Sequence, residues 1–420
     1  MKKIIFIFLV FIFALSSTQL RAEEISLTLD EAIAIALRDN LDILLKAEDV
    51  KKAKEKIKEA QAGLLPTLTL TGNLSNTRGY YSKDLTQTTT QATLKQYLYK
   101  GGKIINTLRY NGYSFEVAQA LLDKTKLETV LSVKKAIYAL VLAIQLSNIN
   151  YEIVENTKAH LDFMRELYNN GQASHSDILQ MESSLSSVTK VYDESLNQIE
   201  SAKILLNNLL FLEESASIMP SVELSYEPRE VAFDDAFLFA MSKRPEIKQY
   251  QAQEKANQKS IEIAKADNRP SIYASWDYYS RSHIVASTTR SWNDYNVIGL
   301  TFSWPIFDGL ATRAKVQQAI IDLKETQLTK EKTIRDIALE LKNAYLDLNN
   351  AIAKINSIQS QIDVYKNNLS VAQEQYSAGI ISSLDLSDIS LQHYVSEFNQ
   401  KEAIYDYVVA KARFDKAMGE

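Results

Sequence analysis

The chain has no cysteine, so no disulfide can staple it and no cysteine-ligated metal can form. Only 11 glycines and 6 prolines serve 420 residues, too little punctuation for many short elements, which leaves long uninterrupted ones. The four histidines, His160, His175, His283 and His393, lack metal-ligand spacing, and no glycine-rich phosphate loop is present. His175, Ser176 and Asp177 are consecutive, so their side chains cannot converge as nucleophile, base and orienter do. No enzyme activity, metal or cofactor is expected. Apolar runs are equally scarce. Ile4 to Leu15, between the basic Met1-Lys2-Lys3 and the small-residue site Leu20-Arg21-Ala22, reads as the core of a signal peptide over 1–22. Beyond it nothing approaches the ~18 apolar residues of a helical membrane span. Without a cysteine at the cleavage site an N-terminal lipid anchor is not expected either. The net charge of −5, made more negative by loss of Lys2, Lys3 and Arg21, argues against a nucleic-acid partner.

What is present is organised around one turn and the helix leading to it. Ile334, Ile337, Leu341, Ala344, Leu348, Ala351, Ile355, Ile358, Ile362, Tyr365, Leu369, Ala372 and Tyr376 step by three and four residues, a heptad seam that faces a partner helix. Gly379 should end that helix with a positive φ. Ser382 and Asp385 then have capping-box spacing, so a second helix should start there and run back antiparallel. The same tip occurs earlier: Tyr168, Gly171, Ser174 and Asp177 match Tyr376, Gly379, Ser382 and Asp385 at an offset of 208. Nearer the N-terminus Asp30-Glu-Ala matches Asp234-Asp-Ala, and Pro66 matches Pro270, at an offset of 204. The sequence reads as a tandem duplication, with a first repeat over 23–212, a linker over 213–230 and a second repeat over 231–420. The first seam, which includes Ser147, Asn150 and Thr157, is the more polar of the two.

A helix from Asp30 to about Gly63 should give way at Pro66 to strand periodicity. Leu68, Leu70, Gly72 and Leu74 alternate with polar residues, a polar stretch covers 76–90, and Ala92, Leu94, Gln96 and Leu98 alternate again. Ile272 to Tyr278 and Ile298 to Trp304 repeat the pattern, predicting hairpins over 66–99 and 270–306, with outer loops at 81–90 and 280–293. A short strand is expected over 222–226. The aromatics Trp276, Trp292, Trp304, Tyr97 and Tyr99 suit the interfaces of a membrane β-barrel, and equally the core of a soluble sandwich. Four strands cannot close a membrane barrel, which needs about 8, so lipid exposure would require other copies. The helices over 102–168 and 310–376 would each span roughly 100 Å at ~1.5 Å per residue.

These features together resemble the TolC-type outer-membrane efflux family. The resemblance rests on Leu29 to Leu37, Leu65-Pro66, Phe302-Ser-Trp-Pro-Ile-Phe-Asp-Gly309 and both tips, and it runs along the whole chain after the leader. It implies an α+β membrane protein, a homotrimer with a shared 12-stranded barrel and a 12-helix periplasmic tunnel. It also implies a periplasmic adaptor and an inner-membrane transporter of RND, ABC or MFS type as partners. By the same resemblance Asp385 and Asp388 would ring a constriction at the tip, and Ser176, Asp177 and Tyr376 would hold it shut. Tyr168, Gly171, Ser174, Gly379 and Ser382 would form the adaptor-facing turns. Ile381 stands where relatives can carry a basic residue, so that polar link cannot form here. Read without the resemblance, Asp177 and Asp385 are also plain helix caps. The rival functions are a periplasmic coiled-coil scaffold or adaptor without a barrel, and a trimeric surface adhesin.

Overall fold

A computed structural model describes residues 25–80, 83–212, 218–228, 232–285 and 291–420. The expected leader lies outside the described residues. These residues form two compact units, one from 25–44, 126–240 and 339–420 and the other from 45–125 and 241–338.

The chain runs β1 (Ile25–Leu27), α1 (Leu29–Asp39), α2 (Leu41–Ala62), β2 (Thr67–Tyr80), β3 (Lys83–Lys100), α3 (Lys103–Asn169) and α4 (His175–Leu210). It continues through β4 (Ile218–Pro220), α5 (Phe233–Lys243), α6 (Pro245–Lys265), β5 (Ser271–Val285), β6 (Ser291–Ser303), α7 (Ala311–Ser377) and α8 (Ser383–Met418). The two long helices, α3 and α7, each have 67 residues, and the helices that return from them, α4 and α8, each have 36. Both pairs begin 208 positions apart.

The helix expected from Asp30 to Gly63 is two helices. Asn40 adopts an extended conformation (φ −64°, ψ 125°) and its Oδ1 accepts the amides of Asp42 at 3.0 Å and Ile43 at 3.3 Å. One side chain thus ends α1 and caps α2. The second half breaks at Arg244, 204 positions on, where Pro245 opens α6 and needs no donor partner.

In the first unit the heptad seams are the core. Leu341, Ala344, Leu348, Ala351 and Ile355 of α7 bury against Ala403, Tyr407, Ala410, Phe414 and Ala417 of α8, with Ala236 and Ala240 of α5. Val133, Ala136, Ile137 and Leu140 of α3 bury against Leu206 and Leu210 of α4, Ala32 and Ala36 of α1, and Leu27 and Ile218. Each large side chain so buried contributes about 1.5–3 kcal/mol. Of the polar members of the first seam Ser147 and Asn150 are buried and Thr157 is half-buried, and Ser195 Oγ donates to Ser147 Oγ at 3.0 Å, which offsets the desolvation of the two hydroxyls. The expected strand at 222–226 is instead β4, paired in parallel with β1 (Ile25↔Ile218, Leu27↔Pro220). Ile218 and Leu27 are buried in this core, and the amide of Ser221 closes the pair on Leu27 O at 2.8 Å, so burial set the position of the strand.

In the second unit β2, β3, β5 and β6 form an antiparallel sheet in that order. The described parts of the outer loops expected at 81–90 and 280–293, residues 83–90, 280–285 and 291–293, are strand. Thr86 and Thr88 to Thr90 are β-branched and find ladder partners on both sides, in β2 and in β5, which outweighs their polarity.

Candidate functional site

Alternation sorts the sheet into two faces. Across the four strands the ladder aligns Leu68, Leu94, Trp276 and Ile298 in one row and Leu70, Ala92, Tyr278 and Asn296 in the next. On the opposite face it aligns Thr69, Thr93, Asp277 and Val297, then Thr71, Gln91, Tyr279 and Tyr295. One face is therefore apolar, and its side chains are open to the surroundings: Leu70 is 75% exposed, Ile298 84% and Phe302 62%. The other face is polar and internally bonded. Asp277 accepts from Thr93 Oγ1 at 2.6 Å, Gln91 Nε2 at 3.0 Å and Ser275 Oγ at 3.1 Å.

The apolar band is slanted. On β2 it runs from Leu68 to Leu74 and on β6 from Ile298 to Trp304, yet the ladder sets Leu68 level with Ile298 and Leu74 level with Trp292. Over three interstrand steps the band therefore slides by six residues, about two per strand. The outer edges of β2 and β6 have no ladder partner among the described residues.

The expected interface aromatics separate in this frame. Trp276 is on the apolar face at the outer end of the band on β5, and Trp304 marks the helix-proximal end on β6, where its Nε1 donates to Asn268 O at 3.3 Å. Trp292 lies farther out, opposite Ser282. A register shift between Tyr97 and Tyr99 puts Tyr99 on the apolar face, opposite Ile272, and leaves Tyr97 on the polar face, edge-on to Tyr273 with ring centroids 5.6 Å apart.

The two helix tips are built alike. Gly171 (φ 74°) and Gly379 (φ 70°) close α3 and α7 in Schellman turns, with Gln172 N to Leu167 O at 2.8 Å and Ile380 N to Gln375 O at 2.9 Å. Ser174 and Asp177 then form a reciprocal capping box, as do Ser382 and Asp385. In the second, Ser382 Oγ donates to Asp385 Oδ2 at 2.7 Å, and this bond, with that from the Ser382 amide, holds the Asp385 carboxyl below its usual range. The Ser174 amide and hydroxyl do the same for Asp177. Asp388, one turn on, is exposed and outside the capping box, and Ser176 is exposed at the start of α4. Tyr168 leans on His175 across the first turn, with ring centroids 5.9 Å apart. A cleft of about 280 Å³ lies between the tips, lined by Met164, Asp177, Gln180, Met181, Ser382 and Ser387 among others.

Tyr376 and Asp177 are not joined within the chain. The Tyr376 hydroxyl is buried without a hydrogen-bond partner, while its ring lies 5.9 Å from Phe163 and 6.0 Å from His160 on α3. Burial pushes the His160 pKa down, so its imidazole is neutral at pH 7. Higher up, the Asn156 amide donates to the Tyr394 hydroxyl of α8. Sequence reading missed His160, Phe163 and Asn156 because they lie off the seam, where periodicity carries no signal. Tyr376→Phe should therefore leave stability within about 0.5 kcal/mol of wild type, because no bond is lost, whereas Tyr376→Ala, which takes the ring away from Phe163 and His160, should cost about 3 kcal/mol. Thermal unfolding distinguishes the two.

Among the described residues no helix is long and apolar enough to cross a membrane, and no three His, Asp or Glu side chains are placed to hold a metal. The outer membrane efflux protein family model matches twice, over 32–210 and over 240–420. The chain belongs to that family. Membership places this efflux protein in the outer membrane. Its fold is that of the outer-membrane channel CmeC of Campylobacter jejuni (TM-score 0.80, 18% identity, 93% of this chain and 85% of that one). The outer-membrane channel OprN is similar (TM-score 0.76, 18% identity, 93% and 89%). So is the open state of the MtrE outer-membrane channel of Neisseria gonorrhoeae (TM-score 0.76, 18% identity, 93% and 88%). No curated protein sequence matches the chain.

Proposed function

We propose that this efflux protein is a tandemly duplicated chain that works as a homotrimer. Three sheets close one 12-stranded barrel in the outer membrane and the helices line a 12-helix periplasmic tunnel. The observation that carries the reading is the exposed, slanted apolar face between two edges that have no ladder partner among the described residues. An edge in lipid leaves backbone donors and acceptors unsatisfied, so β6 of one copy pairs with β2 of the next. Strands tilted by ~45° at ~4.8 Å spacing and ~3.3 Å rise need a shift of about 1.5 residues per strand to keep a band level, close to the slide seen here. A periplasmic scaffold leaves Leu70, Ile298 and Phe302 in water without a reason.

The duct is passive and gated where the helix tips meet. Asp385 and Asp388, repeated threefold, ring the constriction and attract cations, and the Phe163–Tyr376 contact holds the two hairpins of one chain together there. A periplasmic adaptor docks near Tyr168, Gly171, Ser174, Gly379 and Ser382 and biases a two-state tip. An inner-membrane transporter of RND, ABC or MFS type supplies energy and substrate choice. The test is to purify the full chain in detergent and add it to a planar bilayer. Trimers giving small, discrete conductance steps are expected. A folded, detergent-independent monomer without conductance would reject the duct in favour of the scaffold.

A further inference from the structure

The polar face of the sheet carries an uncompensated positive charge at its helix-proximal end. Lys95 Nζ lies 3.8 Å from the centroid of the Tyr273 ring and 4.8 Å from that of Tyr97, and Lys100 Nζ lies 4.6 Å from that of Tyr97. The ladder places Lys95 opposite Ser275 and, beyond the register shift, Lys100 opposite Ser271, so both share the polar face with Tyr97 and Tyr273. Among the described residues neither lysine has a carboxylate partner. The faces of aromatic rings fix an ammonium group in place without neutralising it, which a salt bridge would do. Farther out, Arg281 adds a cation over the Tyr295 ring, with 5.8 Å to its centroid. The described carboxylate on this face is Asp277, whose oxygens are taken up by Thr93, Gln91 and Ser275. This part of the surface is thus positive in a chain whose net charge is −5.

We propose that Lys95 and Lys100 form a cationic collar inside the barrel mouth that makes the open duct prefer anionic solutes, those bearing carboxylate or phosphate groups. The inference rests on the duct reading above, in which the polar face lines the lumen. Two fixed ammonium groups per copy, repeated around a narrow opening with low-dielectric walls, focus a potential that enriches anions and repels cations. The tip, with its aspartates, acts in the opposite sense. The tip sets selectivity when it is the narrowest point, and the collar sets it once the tip has opened.

The test therefore starts from a channel with a neutralised tip, Asp385→Asn/Asp388→Asn, and measures reversal potential in a potassium chloride gradient. This parent should prefer chloride by about threefold or more, and adding Lys95→Gln/Lys100→Gln should bring the ratio to about one. Lys95→Arg/Lys100→Arg should keep the preference. In the parent the preference should also fade between ~0.1 M and ~1 M salt, as the Debye length falls from ~10 Å to ~3 Å. If the double glutamine variant fails to insert, Lys100→Gln alone, at an exposed strand end, should show a partial loss. A conducting parent without chloride preference, or one whose ratio the glutamine variants leave unchanged, overturns the collar and spares the duct. A parent that forms no channel overturns both.

Discussion

Leu300→Arg should block assembly of this protein into the outer membrane, whereas Val297→Arg, three residues away, should leave it nearly intact. Leu300 is 70% exposed on the apolar face, opposite Ala274 and inside the band that runs from Ile298 to Trp304, while Val297 lies on the polar face opposite Asp277. A cation facing lipid near the middle of the bilayer costs about 2–4 kcal/mol in a membrane barrel. In the proposed trimer that cost repeats threefold, about 6–12 kcal/mol, comparable with the whole folding margin of about 5–15 kcal/mol of a typical domain. The Val297 position would instead put the guanidinium in water beside a carboxylate, where a charge costs little. Measuring how much of each variant reaches outer-membrane fractions in folded form, read from heat-dependent mobility, tests both in one experiment. Equal tolerance of the two would mean that the apolar face meets water or protein rather than lipid, and the barrel would have to be abandoned.

In the proposed duct the conductance is expected to be small, cation-preferring and blocked by divalent ions, and Asp385→Ala/Asp388→Ala should make it larger and remove both properties. Rings of like charge concentrate cations about tenfold or more at a constriction, and divalent ions bind there most strongly. Asp388→Ala alone should lose part of the block. Asp385 also caps α8, so its removal could act by fraying the helix, and Ser382→Ala separates these effects by breaking the capping box while leaving the carboxylate. Conductance changes in Ser382→Ala that match the aspartate variants would reassign the effect to the cap. The pH dependence follows from the sign of the shift. Ser382 holds the Asp385 carboxyl below its ordinary value near 3.8, so the stabilisation of the capped tip is complete above that value. It is lost only as pH falls through the lowered value. Above about pH 5 that contribution is constant, so loss of the cap does not account for any pH dependence between about pH 5 and 8.

Local chemistry was written plainly in the chain. The turn glycines Gly171 and Gly379 with positive φ, the capping boxes at Ser174 and Ser382, and the buried seams of α3 and α7 all appear where residue type and spacing put them. Each depends on backbone groups within a few residues or on a period of three and four, and both are visible in one dimension. Asn40 lies inside an otherwise helical pattern, and its break became evident only when its side chain was seen to cap the next helix.

Tertiary structure decided whatever joins residues far apart in the chain. That β1 pairs with 218–220 rather than 222–226 follows from the burial of Ile218 against Leu27, which no local propensity encodes. The threonine-rich stretch after Lys83 is strand because β5 supplies its second ladder. One register shift separated Tyr97 from Tyr99, which alternation alone had grouped, and turned Tyr97 toward the lysines of the polar face. The partners of Tyr376 were decided by the packing of α3 against α7, which put His160 and Phe163 at its ring and left its hydroxyl unbonded. Periodicity says which face of an element is buried. Only the three-dimensional pairing of elements says what that face is buried against.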